Sequence, residues 1–289
     1  MSKECESCDD KSCAVKGGGN IPPENRDEEI KIAQRLCKIN NKIVILSGKG
    51  GVGKSTVAVN LASAMAKAGK RTGLLDVDVH GPSVPTMLGV KDQPIRATED
   101  NVMYPAETDY GLKVMSIAFF LPKGNEALIW RGPMKTGVIK QFIRDVEWGE
   151  LDYLFIDCPP GTGDEPLSVV QMLKNPTGGV IVTTPQNVVI EAVEKSINFC
   201  RTVNLPILGI IENMSGYICP HCGQESNPFS NEGGKKLAEK ENVPFLGSIP
   251  LSADVAPSGD QGSPLSLANE NPIGKTYRFI SDKIQKSLS

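Results

Sequence analysis

Apolar residues along this chain fall into short continuous runs separated by segments with helical spacing. Lys42-Ile43-Val44-Ile45-Leu46-Ser47 predicts a buried strand, and Ser55 to Ala68 predicts an apolar-faced helix closed by Gly69. Thr72-Gly73-Leu74-Leu75-Asp76 predicts a second strand. Later runs predict strands ending in loops at Asp157 (Tyr153 to Ile156), Thr183 (Val180 to Val182) and Glu212 (Ile207 to Ile211), with a helix from Val188 to Val203. Strands that are apolar throughout, rather than alternating, are covered on both faces. Their alternation with helices predicts an α/β fold built on a doubly wound, mostly parallel sheet.

Both ends of the chain depart from this pattern. Residues 1 to about 28 are polar, with Gly17-Gly18-Gly19 ahead of Ile21-Pro22-Pro23, and predict a flexible appendage to a single domain over 29–289. Near the other end Ile273, Tyr277, Ile280, Ile284 and Leu288 recur every three or four residues, with Lys275, Arg278, Lys283 and Lys286 nearby. Such a stripe serves a terminal helix docked on its own domain or an interfacial anchor, and the docked helix is the expectation.

Composition narrows the class. With 289 residues and 39% hydrophobic content the chain can bury a proper core, which excludes general disorder and fibrous repeats. A net charge of −3 argues against coating in nucleic acid. No apolar run approaches the roughly 18 residues of a membrane span, and Met-Ser-Lys-Glu-Cys-Glu lacks the apolar stretch of a secretory leader. The expectation is a cytoplasmic protein without nucleic acid or stable membrane association. In that reducing setting the eight cysteines do not form a disulfide scaffold. Cys37, Cys158 and Cys200 fall in a helix, a strand end and a helix and are expected to be small buried hydrophobes. Cys5, Cys8 and Cys13 in the tail, and Cys219 with Cys222, have the close spacing of metal or redox chemistry.

The first strand runs into Gly48-Lys49-Gly50-Gly51-Val52-Gly53-Lys54-Ser55-Thr56 and then a helix, matching G-x-x-x-x-G-K-[ST] in the context that mechanism requires. Glycines let backbone N–H groups turn inward around phosphate oxygens, and the helix N-terminus adds positive potential. Lys54 is placed to reach the β- and γ-phosphates of ATP, Ser55 to hold Mg²⁺, and Thr56 to lie near the α-phosphate. The second strand delivers Asp76 and Asp78 to one side of the carboxyl edge, where ligands bind in such sheets. Leu154-Phe155-Ile156 delivers Asp157 as a Walker B carboxylate, followed by Cys158-Pro159-Pro160-Gly161-Thr162-Gly163-Asp164. Gly161 is placed to present its N–H to the γ-phosphate and report hydrolysis. His80 is expected to be a structural loop residue rather than a base.

Cys219 and Cys222 supply two thiolates where a [4Fe–4S] cluster takes four, so the simplest completion is a two-fold homodimer with the cluster bridging it. The same Cys-x-x-Cys is half of a zinc-ribbon knuckle, and two halves make a tetrahedral zinc site. Spacing alone does not separate the two metals.

Lys49, a second lysine in the phosphate loop, resembles the deviant Walker A signature of the partitioning, nitrogenase-reductase and arsenical-pump ATPases. That resemblance implies a lysine reaching the other subunit's nucleotide, where it stabilises transition-state charge as an arginine finger does. With Asp76–Ser83, Trp130-Arg131-Gly132-Pro133-Met134, Asp157–Asp164, Glu212-Asn213-Met214-Ser215-Gly216 and Cys219-Pro220-His221-Cys222, the chain from about Lys42 to Leu251 resembles the Mrp/ApbC family of P-loop iron–sulfur cluster carriers, which includes the eukaryotic cytosolic scaffold ATPases. The resemblance implies that Asp76 lies in the outer Mg²⁺ shell and that Asp78 positions or deprotonates the attacking water. It implies further that Asn213 reads adenine and that Pro250 packs near the base. It favours [4Fe–4S] over zinc at the loop spanning 213–231, with zinc able to occupy the site in aerobic preparations. Scaffold-branch tails hold a second cluster on C-x-x-C-x₅-C and a further cysteine. Here the last spacing is one residue short and no cysteine precedes Cys5, so the fourth ligand is Cys37, another group, or none. The function implied is ATP-dependent binding of a cluster by a weak ATPase and its transfer to apo iron–sulfur proteins. The alternative is a MinD/ParA-like positioning ATPase with a structural zinc clamp. An electron-transfer reductase would need Cys158 as a ligand, in a segment that reads as buried.

Overall fold

The computed structural model describes residues 26–79, 81–121, 132–219, 221–222, 224–229 and 232–288. Cys5, Cys8, Cys13, His80, Trp130, Arg131 and Pro220 lie outside the described residues.

In chain order the first half comprises α1 (Arg26–Leu36), β1 (Ile39–Leu46), α2 (Lys54–Lys67), β2 (Thr72–Asp76), α3 (Val84–Met87), β3 (Arg96–Ala97), β4 (Met103–Tyr104), β5 (Ala106–Glu107) and β6 (Lys113–Ser116). The second comprises α4 (Gly132–Asp145), β7 (Leu151–Asp157), α5 (Asp164–Met172), β8 (Gly178–Thr183), α6 (Asn187–Thr202), β9 (Ile207–Ile218), β10 (Glu225–Ser226), α7 (Gly233–Glu241), β11 (Phe245–Leu251), α8 (Val255–Asp260) and α9 (Pro272–Ser287). The main sheet runs β10-β9-β8-β1-β7-β2-β6-β5, and β11 also pairs with β9. Its ladders are parallel except for β5 and β10, as a doubly wound α/β fold requires. The central strands β2, β7 and β8, and β1 from Ile43 onward, are buried along almost their whole length, which is why they read as apolar runs.

Register carries the chemistry to one row. Asp76 pairs with Asp157 on one side and with Ser116 on the other, while Ile45 pairs with Asp157. Three polar side chains thus arrive at the carboxyl ends of three adjacent strands, at the edge where ligands bind in this class of sheet. Helix α2 is buried on nearly every side, including Asn60 and Ser63. Such a helix belongs in the interior rather than at a surface. Asn60 accepts the Ser266 N–H at 2.9 Å and donates to the Thr56 carbonyl at 2.9 Å, so its amide is satisfied.

The terminal stripe is docked, as expected. Ile273, Tyr277, Ile280 and Ile284 of α9 are buried, and Asn271 caps the helix by accepting from the N–H groups of Ile273 and Gly274. Among the described residues no helix is long and apolar enough to cross a membrane.

Other expectations need correction. The boundary near residue 28 falls inside the first turn of α1, where Glu28 pairs with Lys140 and, at 2.6 Å, with Arg144. Strand β1 begins at Ile39 because its backbone continues to pair with Leu151. The largest difference is at Glu212, where the strand does not end. It continues to Ile218 with Ile249 opposite Asn213, Leu251 opposite Tyr217, and β10 antiparallel to Tyr217 and Ile218. The apolar pattern stops at Glu212, so periodicity cannot signal this extension; backbone pairing with two neighbours sustains it. The extension is kinked, with Met214 (φ 58°) and Gly216 (φ 77°) in the left-handed region. A methionine there costs about 1–2 kcal/mol and persists only because the surrounding ladder holds it. Cys158 and Cys200 are fully buried, and burial pushes the Cys200 thiol up to about 12. Cys37, by contrast, is only half-buried.

Candidate nucleotide site and cysteine hairpin

Between β1 and α2 the chain wraps a 260 Å³ cavity lined by residues 47 and 49–56 with Asp78, Ser83, Met87 and Pro160. Gly50 belongs to this wall. Gly51 and Gly53 have φ of 81° and 79°, a conformation that L side chains rarely adopt. Gly48 is required for a different reason: a Cβ there would stand 2.1 Å from the Ala192 carbonyl oxygen of α6. Gly53 is the N-cap of α2 and no side chain caps the helix, so its first N–H groups face the cavity as an anion site. A larger cavity of 690 Å³ lies at the opposite edge of the sheet, lined by Leu167, Val170, Pro176 and Pro206 among others. Its lysine, Lys174, is ion-paired with Glu29 of α1, and no catalytic constellation faces it. Chemistry, not size, selects the smaller cavity.

Lys54 lies 6% exposed beneath the loop, with Nζ 2.5 Å from Asp157 Oδ1 and 3.9 Å from Asp78 Oδ2. It also donates to Ser55 Oγ at 3.4 Å. Burial opposes the charge on Lys54, but Asp157 and Asp78 outweigh it and hold the ammonium above its ordinary range. Burial pushes the Asp157 carboxyl up, against the pull of Lys54. Asp76 is fully buried; desolvation, then the charge of Asp157, push it up to about 7. Its carboxylate accepts from Ser116 Oγ at 2.8 Å and from the Asp78 N–H at 3.1 Å. Two buried oxygens, Ser47 Oγ and Asp157 Oδ2, have no hydrogen-bond partner among the described residues. Like Ser55 Oγ, they are hard oxygen donors of the kind that suits Mg²⁺, which takes few protein ligands and keeps phosphates and water.

The other predicted residues divide by placement. Lys49 is exposed at the rim of the cavity, while Val52 is buried and Thr56 half-buried in its wall. Gly161 (φ 96°) donates its N–H to the Ser47 carbonyl at 2.7 Å, so that N–H is spent on the loop rather than aimed into the cavity. Asn213 is 7% exposed and donates its amide to the Val52 carbonyl at 2.9 Å, gripping the phosphate loop from behind. Pro250 lies half-buried in β11. Two participants were not singled out from sequence. Ser116 supports Asp76, and the signal was available in its position at the end of the apolar run Val114-Met115. Glu212, which the sequence marked as the end of an apolar run, is buried and bonded to Ser215 and Gly234, partners that no periodicity signals.

The two cysteines occupy the tip of a hairpin formed by β9 and β10. Cys219 N–H donates to the Gln224 carbonyl at 3.0 Å, closing the turn. The backbone N–H groups of Cys222 and His221, with the Cys222 thiol, hold the Cys219 thiol below its ordinary range, which favours the metal-binding thiolate. Cys222 and His221 are exposed. Among the described residues no three His, Cys, Asp or Glu side chains converge on one point, and the hairpin by itself offers two thiols where a tetrahedral zinc or a [4Fe–4S] cluster takes four ligands.

Comparison with known proteins agrees with this geometry. The model of the NUBPL iron-transfer P-loop NTPase family matches residues 38–285. An iron-sulfur cluster carrier protein of Methanocaldococcus jannaschii is 46% identical over 96% of this chain and 98% of its own length. The cytosolic Fe-S cluster assembly factor NUBP2 homolog of Dictyostelium discoideum is 50% identical over 85% and 93%. Among solved structures, a nucleotide-binding protein of Archaeoglobus fulgidus in complex with ADP superposes with a TM-score of 0.70 at 41% identity, covering 80% of this chain and 90% of that one. The cell-division ATPase MinD of Pyrococcus furiosus shares the fold alone, at 22% identity and a TM-score of 0.61.

Proposed function

Because the chain belongs to the NUBPL family of iron-transfer P-loop NTPases, we propose that it is an ATP-dependent carrier that binds a [4Fe–4S] cluster and passes it to apo iron–sulfur proteins. The observation that supports this reading is the hairpin tip: a Cys219 thiol biased to thiolate beside an exposed Cys222, on a strand whose base touches the phosphate loop. Two copies related by a two-fold axis supply four thiolates, and the cluster is cargo held by few protein bonds at an exposed position.

At the nucleotide end the loop N–H groups bind the phosphates of ATP, and Lys54 moves its charge from Asp157 to the β/γ oxygens. Ser55 and Asp157 would hold Mg²⁺, which when bound would supply positive charge to offset the charge developing on the phosphates. Asp78 orients a water and takes its proton as the oxygen attacks the γ-phosphorus and the bond to ADP breaks, leaving ADP and inorganic phosphate. Lys49 reaches the partner subunit's nucleotide and stabilises the charge of that transition state. Gly161 exchanges its bond to Ser47 for the γ-phosphate, so that loss of phosphate is felt by 157–164. This hydrolysis is weak and is coupled to the spacing of the two hairpins. The docked α9 leaves the alternative positioning-ATPase reading without its membrane anchor.

The test is anaerobic iron–sulfide reconstitution of the wild type and Cys222→Ala. About four irons and four sulfides per dimer, lost in the variant, are expected; irons retained by the variant belong to the tail cysteines. Zinc without labile sulfide in the wild type would refute the carrier function and make the hairpin a structural clamp.

A further inference from the structure

A fully buried carboxylate lies outside every step above. Glu212 sits in β9, opposite Thr183 and Ser248 on the flanking strands, one residue before Asn213. Its Oε1 accepts from Ser215 Oγ at 2.5 Å, and its Oε2 accepts from the Gly234 N–H at 2.6 Å. Ser215 is on the way into the cysteine hairpin and Gly234 is on the way out, in the first turn of α7. That helix has no side-chain cap of its own from Glu232, and a carboxylate at its N-terminus satisfies an otherwise orphaned donor. One side chain therefore ties both feet of the segment that carries the metal ligands.

Asn213 makes the complementary link. Its amide holds the Val52 carbonyl, and a Cβ on Gly53 would stand 2.3 Å from that same amide nitrogen. Val52 and Gly53 form the part of the phosphate loop that turns into α2. Adjacent strand residues point to opposite faces, so β9 at 212–213 grips the hairpin on one face and the phosphate loop on the other.

We propose that Glu212 and Asn213 are the positioning residues through which nucleotide occupancy of the phosphate loop reaches the cysteine hairpin. This inference rests on the carrier reading for its purpose but not for its geometry. A displacement of the Val52–Gly53 peptide is passed by Asn213 to β9 and by Glu212 to both feet of the hairpin. Linkage requires that the metal-loaded hairpin alter nucleotide affinity by the same factor.

The test is hydrogen exchange on the full chain, with and without saturating Mg-AMPPNP, in the wild type, Asn213→Ala and Ser215→Ala. Protection of 48–56 verifies that nucleotide is bound in each. In the wild type, nucleotide should change exchange of 215–226 by about fivefold or more, the low end of ordinary coupling. Asn213→Ala should abolish that change, and Ser215→Ala, which cuts one strand of the clasp at a half-buried site, should reduce it. A wild-type hairpin indifferent to nucleotide, or a wild-type response surviving in Asn213→Ala, overturns the proposal. Neither iron nor sulfide enters this measurement, so its failure is distinct from the failure of iron and sulfide to load.

Discussion

Deleting the charge of Lys54 while keeping its stem, as Lys54→Met, isolates the buried ion pair beneath the phosphate loop. Asp157 is fully buried, and Oδ2 has no hydrogen-bond partner among the described residues, so without Lys54 the carboxylate cannot stay ionised. Protonating a carboxyl of ordinary value 3.8 at pH 7 costs about 1.36 kcal/mol per unit over about 3.2 units, which caps the deficit at about 4 kcal/mol because burial already holds the wild-type carboxyl above 3.8. That agrees with the ~3–5 kcal/mol found when one side of a buried pair is removed. At pH 5 the same arithmetic gives about 1.6 kcal/mol. The raised carboxyl favours the folded variant at low pH, and this contribution is lost as pH climbs above the ordinary value. The deficit relative to wild type should therefore shrink on acidification. Adding Asp157→Asn should recover most of the loss at pH 7, since a neutral amide needs no countercharge. Urea unfolding in EDTA, followed by far-UV circular dichroism at pH 7 and pH 5, measures all three quantities. A deficit below about 1 kcal/mol at pH 7, or one that ignores both pH and the second substitution, would refute the buried pair as described.

Asp76 has a folded value of about 7 against an ordinary 3.8, so it stabilises the fold below the ordinary value and loses that contribution as pH rises through 7. Wild-type stability in EDTA should rise from pH 8 to pH 5, and Asp76→Asn should flatten this slope; an equally steep slope in the variant contradicts the assignment. Gly48→Ala places a Cβ against the Ala192 carbonyl, so the loop must shift by about an ångström and phosphate release should fall about 10²-fold with the circular dichroism spectrum retained. Wild-type hydrolysis in that variant would show that the contact yields.

Much of this site was legible in the residues because its chemistry is local. A glycine-rich turn between an apolar strand and a helix has few other uses, and Gly48 to Thr56 states its loop, its lysine and its hydroxyl in nine consecutive positions. Apolar runs ending in acids likewise placed Asp76 and Asp157 at strand ends, since strands buried on both faces tolerate charge only where they leave the sheet. The stripe from Ile273 to Ile284 marked a helix, but two surfaces could have received it, and only packing against α2 and β11 decided between them. Tertiary structure alone decided what lies across strands. Ser116 supports Asp76 because β2 and β6 are in register, and Gly161 meets Ser47 because β7 lies beside β1. The run from Glu212 to Ile218 has no hydrophobic period, so its strand character comes from partners remote in sequence. Asn213 holds Val52 from 161 residues away, and spacing along a chain carries no information about such a bond. The sequence determined which groups the protein possesses and where each element begins to form; the sheet's register determined which of those groups meet, because hydrogen-bond partners are chosen by distance in space.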